Sequence, residues 1–578
     1  MKYKVETIKL TSFTRHAEEV KDRIAVAITK FEEEGVSAGN CMETFNVCSD
    51  LRMEVNQLSS ITSWLRIQGK HNRLPAFRSV STEVIEEYNR MELTLKRKLA
   101  CLEEYEFNEV LKAEGMSDYI LLTEEWRRSN EAAKEEEDLL NDLQVDGLKA
   151  WGDFYHTYIG KLSVPFHEKR MSVGQVLQLR SDPCEKIRRE SFYALENLWK
   201  EEGDVINRIL NHSIGFAGKQ SKRLYEMNRY QTSLRNNRVQ DISVQAMWER
   251  VDAYQPVFRA YLNAKAEWMG KSRLAAYDFW APISIEKSTF TYDEAVSFIL
   301  IQFGKVSQEL KVFAEDVIEK GWIDAENRPS KSFAASCIHF PKTRESRVNL
   351  SFDGSFTNIL TLAHELGHAF HNEQLNGEQG LHQTPPLPLA ETSSIFAELA
   401  VLEGAMQEWT DPKDRLFLLD EKLKLSVMNF LNIRSRFVFE RAFEEERERG
   451  FIEIDKTDFI MRQAWEASYQ GSLVDPPSRF WALVPHYYMT NSPYYNYPYT
   501  MGYLISLACI AKGKQEEEGA GVDFRLLLKN SGKDTIENLV RRYFEEDIAT
   551  ADFWEKGLEE CAEDVREFTY LVNLLGEN

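Results

Sequence analysis

The segment Thr361-Leu-Ala-His364-Glu365-Leu-Gly-His368-Ala-Phe-His371 decides how the rest of the chain reads. It contains H-E-x-x-H. Residues four apart share one face of a helix, so His364 and His368 can aim their imidazoles at a single point. Glu365, one residue on, can reach a water at that point without being a ligand itself. Ile359, Leu362, Leu366 and Phe370 supply an apolar stripe at helical spacing, Ser355 or Thr357 can cap the start, and Gly377 can end the helix. With 11 His and 93 Asp+Glu in 578 residues, chance gives roughly 0.03 such motifs per chain.

A third ligand lies downstream. The loop Pro385-Pro386-Leu-Pro388 breaks the helix, and Glu391 follows His368 by 391 − 368 = 23 residues, a spacing that lets a second helix pack beside the first. Two histidines, one carboxylate and an open position form a catalytic zinc set. Glu398 falls two turns after Glu391 and can accept a hydrogen bond from a ligand imidazole, fixing its tautomer. His371 reads as a satisfied histidine near the site rather than a ligand. His167-Glu168 does not begin a second motif, because Met171 stands where the second histidine belongs.

Away from the motif most of the chain has helical periodicity. Ile24, Ile28 and Phe31 predict a helix ending near Gly35; Tyr88, Met91, Leu95 and Leu99 predict another starting at Ser81 or Thr82. Ser181-Asp182-Pro183 predicts a helix start, with Ile187, Phe192, Leu195 and Trp199 as its buried stripe. The clearest strand is Arg347 to Phe352, where apolar and polar residues alternate before an Asp353-Gly354 turn. As an edge strand it could take up an extended peptide through main-chain hydrogen bonds, which makes Val348, Asn349 and Leu350 candidate substrate-binding residues. The Pro-, Gly- and Ser-containing stretch from about 162 to 183 predicts a boundary, giving an N-terminal helical lobe over 1–180 and a catalytic region over 181–578.

Composition limits the possible partners. The net charge of −22 repels phosphate backbones and anionic membranes, and the chain has no basic patch or long apolar run. No nucleic-acid or membrane partner is expected. Seven scattered cysteines without a C-x-x-C pair suit a reducing compartment, and the N-terminal MKYKVETIKL has no leader-like apolar core. A cytoplasmic protein is expected. No feature of the sequence sets an oligomeric state.

Four segments in order carry a resemblance: Phe340–Phe352 (FPKTRESRVNLSF), Leu362–His371 (LAHELGHAFH), the Glu391/Glu398 pair, and the tyrosine-rich His486–Tyr503 (HYYMTNSPYYNYPYTMGY). The chain resembles the oligoendopeptidase F branch of the thimet oligopeptidase family of zinc metallopeptidases, from about residue 180 to 565. That resemblance implies a mainly α, two-lobed zincin-like fold with a deep substrate channel and a small β-sheet near the active-site helix. It implies one zinc per chain on His364, His368 and Glu391, with Glu365 as the base that activates water and short unfolded peptides as substrates cut at internal bonds. A developing oxyanion needs a donor. The resemblance points to His486 with Tyr499 and Tyr503. Pro498 opens a helix that sets these two tyrosines at i, i+4 on one face, the family's Gly-Tyr-Leu stretch favours Tyr503, and Tyr494, Tyr495 and Tyr497 stand as alternatives. A zinc carboxypeptidase of related fold and a catalytically silent peptide-binding protein are the competing readings.

Overall fold

The computed structural model describes residues 12–69, 74–128, 139–140, 143–283, 289–328, 331, 334–515 and 521–576; the N-terminal MKYKVETIKL lies outside them. Among the described residues the chain is mainly helical, with three small sheets. It forms two compact units, each assembled from three stretches of chain: Met1–Glu131, Lys287–Gly404 and Cys509–Glu546 in the first, and Ala132–Glu286, Ala405–Ala508 and Asp547–Asn578 in the second. The expected division at residue 180 therefore falls inside the second unit. Packing between distant segments sets the real division. Leu381 joins the apolar core of the N-terminal helices, the His382 ring lies tilted against Tyr119 with centroids 4.4 Å apart, and Lys533 pairs with Asp118 at 2.9 Å.

The N-terminal helices follow their apolar periodicity. Helix Phe13–Glu34 buries Ile24 and Phe31 and ends on Gly35, whose φ of 67° favours a residue without a side chain. Helix Leu74–Ala100 buries Tyr88, Met91, Leu95 and Leu99 but begins well before the expected Ser81. Ser81 is instead mid-helix and buried, exchanging a hydrogen bond with Thr62 at 3.0 Å, so tertiary contact takes up a hydroxyl that looked like a cap. The helix expected after Pro183 runs Glu185–Tyr225, with Asp182 accepting from the Cys184 N–H at 2.8 Å. Leu195 and Trp199 are buried as expected, but at the start of the helix Arg188 lies inside, paired with Asp278 at 2.7 Å, while Ile187 and Phe192 are half-buried.

A three-stranded sheet in the first unit corrects the reading of the Arg347 segment. Strand Glu345–Asn349 is central. It pairs antiparallel with Ser336–Phe340 on one side and parallel with Ile323–Asp324 on the other. Val348 donates to the Trp322 carbonyl, Leu350 to Asp324 and Phe352 to Ala325. The Asn349 side chain donates to the Ala334 carbonyl at 2.9 Å. Val348, Asn349 and Leu350 are thus committed to their own sheet and cannot add a peptide as an edge strand. The sheet buttresses the helix bearing H-E-x-x-H, where Asn372 donates to Ser346 Oγ at 3.1 Å. Among the described residues no helix is long and apolar enough to cross a membrane, and all seven cysteines are free.

Candidate metal centre

Helix Phe356–Leu375 carries the motif. Ser355 caps it by accepting from the Asn358 N–H, and Ile359, Leu362, Leu366 and Phe370 are buried as the stripe requires. Helix Leu387–Glu408 lies beside it, starting in the proline-rich loop. The two backbones come close at Gly367, where any added Cβ would sit 2.5 Å from the Ser393 carbonyl and 2.6 Å from Ser394 Cα. Ser393 Oγ donates to the Gly367 carbonyl at 2.7 Å and ties the crossing together. The glycine inside H-E-L-G-H is thus a packing requirement, and it brings the carboxylates of the second helix within reach of the histidines of the first.

The crossing makes three ligands converge. One ligand atom from each of His364, His368 and Glu391 lies within 4.8 Å of the others. Glu391 Oε2 is 3.6 Å from His364 Nε2 and 3.8 Å from His368 Nε2, and the two imidazole rings stand nearly perpendicular at 84°. Two neutral-capable imidazoles and one carboxylate suit a borderline-soft divalent ion, zinc above all, and leave a coordination position for water or substrate. Ser394 Oγ lies 3.1 Å from Glu391 Oε2 and steadies it.

Around these ligands the charges are strongly coupled. His364 Nδ1 meets Glu398 Oε1 at 2.5 Å, so Nε2 is the ring atom left for a metal. Burial opposes charge on His364, but the Glu398 hydrogen bond and the nearby carboxylates outweigh it and lift the imidazole to about 9. Burial, with His364 and His371 adding repulsion, drives His368 well below its ordinary value. Glu365 is 6% exposed, and its Oε2 has no hydrogen-bond partner. Burial lifts its carboxyl to about 7, with Glu391 and Glu398 raising it further and His364 opposing them. A group poised near neutrality both takes and returns a proton at low cost.

Glu398 carries a prediction of its own. Glu398→Ala removes the acceptor that orients His364, and zinc affinity is expected to fall by about 10- to 100-fold. Competition against a chelator of known strength measures this, and an unchanged affinity would show that Glu398 does not orient the ligand.

His371 is the site's inward neighbour. Its Nε2 bonds Ser531 Oγ at 2.9 Å and lies 3.2 Å from the Leu528 carbonyl, and burial pushes it down to about 4. The unfolded ring titrates near about 6.5, so between these values the unfolded chain holds the extra proton. His371 therefore contributes stability that is complete above the unfolded value and is lost as pH falls toward the folded one. By pH ~5 the loss is on the order of 2 kcal/mol. His371→Gln is expected to lose correspondingly less stability between pH ~7 and ~5. Urea unfolding at both pH values tests this, and identical losses in the two proteins would refute it.

The tyrosine-rich segment belongs to the second unit and splits into two sets. Tyr503 is fully buried, with its hydroxyl 2.9 Å from Ser426 Oγ and its ring against Phe430. It is a core residue, which corrects the expectation that Tyr499 and Tyr503 share a cleft-facing side. Tyr494 donates to Glu444 at 2.6 Å, and the hydroxyl of buried Tyr497 accepts from Asn237 at 3.3 Å. Tyr495 and Tyr499 are only half-buried, and both flank His486, with ring centroids 5.1 and 6.0 Å away. Helical spacing alone could not separate these sets, because packing of neighbouring helices decides which rings are buried. Sequence reasoning also missed Asn496 and Arg436, which contact His486.

An H-E-x-x-H helix crossed by a second helix that brings a carboxylate as third ligand is the architecture of a helical metallopeptidase. Comparison with known proteins agrees. The sequence model of Peptidase family M3 matches residues 178–560. Group B oligopeptidase PepB of Streptococcus agalactiae is 22% identical over 419 residues, which cover 70% of this chain and 67% of PepB. An oligoendopeptidase F homolog of Lactococcus lactis is 23% identical over 350 residues, covering 58% of this chain and 56% of that protein. The crystal structure of oligoendopeptidase-F from Enterococcus faecium superposes with a TM-score of 0.70 at 17% identity, covering 97% of this chain and 99% of that one. The chain belongs to peptidase family M3, in its oligoendopeptidase F branch, and is a metallopeptidase.

Proposed function

We propose that the protein is a zinc-dependent endopeptidase that hydrolyses internal bonds of short, unfolded oligopeptides in the cytoplasm. The observation that carries this reading is the buried, unpartnered Oε2 of Glu365 beside the converging ligand atoms of His364, His368 and Glu391. A carboxylate left without a partner at such a place is a base waiting for a proton.

Zinc, when bound, supplies Lewis-acid polarisation of the peptide carbonyl and of the attacking water. The protein's own residues do the rest. Glu398 holds His364 by its Nδ1, leaving Nε2 free for the metal, and Ser394 holds Glu391. Glu365 takes the proton of the attacking water and returns it to the leaving amine. The seven free cysteines fit a reducing compartment.

Substrate size follows from access. Glu365 and Glu391 are each 6% exposed, so the scissile bond must be carried to them on a slender extended strand. A folded domain has its backbone already engaged and would have to unfold first, at about 5–15 kcal/mol. Peptides of roughly 5–20 residues, spanning about 3.3 Å per residue, are therefore expected to be cut while stable domains are spared. The test uses a peptide pool read by mass spectrometry with and without chelator, together with one stable domain and its own fragments. Chelator-sensitive internal cuts confined to the fragments support the reading. Release of single C-terminal residues only, cleavage of the intact domain at fragment-like rates, or no cleavage at all would overturn it.

A further inference from the structure

His486 was expected to donate a hydrogen bond to the oxyanion, but its surroundings give it the opposite polarity. Asn496 precedes helix Tyr497–Gln515 and is 1% exposed. Its Oδ1 lies 3.2 Å from Arg436 Nη1 and 2.8 Å from His486 Nδ1. A guanidinium can only donate, so the Asn496 atom facing it is the oxygen. Turning the amide over would set its NH₂ against the guanidinium. With the oxygen in place, the ring nitrogen 2.8 Å away must carry hydrogen, since two lone pairs at that distance repel. The 3.5 Å approach of Arg436 Nη1 to the same Nδ1 is at the outer limit of a hydrogen bond and cannot reverse this order.

Arg436 is itself fixed. Its Nε donates to Asn432 Oδ1 at 2.8 Å, its carbonyl accepts from the Tyr487 hydroxyl at 3.3 Å, and its guanidinium lies 5.3 Å from the centre of the Phe480 ring. Asn432 in turn donates to the Tyr469 hydroxyl at 3.3 Å. Asn496 Nδ2 is buried and finds no partner among the described residues, so the side chain is oriented entirely by what its oxygen accepts. Burial and the Arg436 charge push His486 down to about 4, which keeps the ring neutral at physiological pH.

We infer that Asn496 is a positioning residue that locks His486 in its Nδ1–H tautomer, leaving Nε2 of the half-buried ring as a hydrogen-bond acceptor. Building on the peptidase reading, that acceptor is open to a backbone N–H of a peptide. The same logic, in which the partner of one ring nitrogen dictates the chemistry of the other, governs histidines in other active sites.

The test is a long-range ¹H–¹⁵N spectrum of the whole protein labelled at histidine, with His486 assigned by its loss in His486→Gln. A protonated Nδ1 and a bare Nε2, unchanged from pH ~8 to ~6, are expected in the wild type. Asn496→Leu should lose this preference, and Asn496→Asp, which keeps an acceptor, should retain it. Peptide hydrolysis should follow, with kcat/KM about tenfold lower in Asn496→Leu and largely restored in Asn496→Asp. A bare Nδ1 in the wild type, or a tautomer unmoved in Asn496→Leu, would overturn the proposal. The spectrum needs no turnover. A locked tautomer in a protein that cuts no peptide would uphold the role of Asn496 and overturn the peptidase reading alone.

Discussion

Glu365→Gln is expected to retain zinc and the fold while peptide hydrolysis falls by about 10³-fold or more. The amide has nearly the shape of the acid but cannot accept a proton, and general acid–base catalysis by one positioned group is worth ~10²–10⁴. Little stability is at stake, because Glu365 Oε2 has no partner to lose and burial already disfavours its charge. A neutral amide in that place is expected to leave unfolding unchanged or shift it slightly upward. Initial rates on a fluorogenic peptide, set beside zinc content, separate chemistry from metal binding. Activity within tenfold of the wild type would mean that another group takes the proton.

Glu391→Ala acts one step earlier, on metal retention. Glu391 is the only carboxylate in the converging group of ligands, and its Oε2 faces both imidazoles. Structural zinc is held in small domains by about 10–16 kcal/mol shared over four ligands, so losing one of three protein ligands is expected to weaken binding by on the order of 10³-fold. The variant should dialyse to a metal-poor form and lose its activity with the metal. Excess zinc should restore activity only in part, because the geometry set by the third ligand does not return. Full zinc occupancy together with wild-type turnover would remove Glu391 from the ligand set.

Much of this site was legible in the sequence because helices obey local rules. The i, i+4 spacing put His364 and His368 on one face, the apolar stripe fixed which face was buried, and Ser355 capped the start. The interval to Glu391 and the further two turns to Glu398 were readable for the same reason. What was not legible depended on partners far along the chain. Arg347 to Phe352 shows a clean alternation, but whether its strand is an edge or a centre hangs on Ile323–Asp324, a strand two residues long with no period to read. Tyr499 and Tyr503 differ by one helical turn in sequence and by complete burial in space, because Ser426 and Phe430 close over Tyr503. Asn496 looked like one more polar residue among tyrosines until Arg436 fixed which of its atoms faces His486.

The threading of the two units also bears on how the protein is made. The first unit opens with Met1–Glu131 and closes only with Cys509–Glu546, so 508 − 131 = 377 residues leave the ribosome between the two. At about 5–20 residues per second this takes roughly 20–80 s. The N-terminal helices build most of their core from their own residues, with Leu381 joining it later. The histidine helix waits longer: the buried end of its His371 is satisfied by Leu528 and Ser531, which lie in the closing stretch of the first unit. Its final packing is thus a late event of biogenesis, and a chain truncated before residue 531 would present the histidine helix without that anchor.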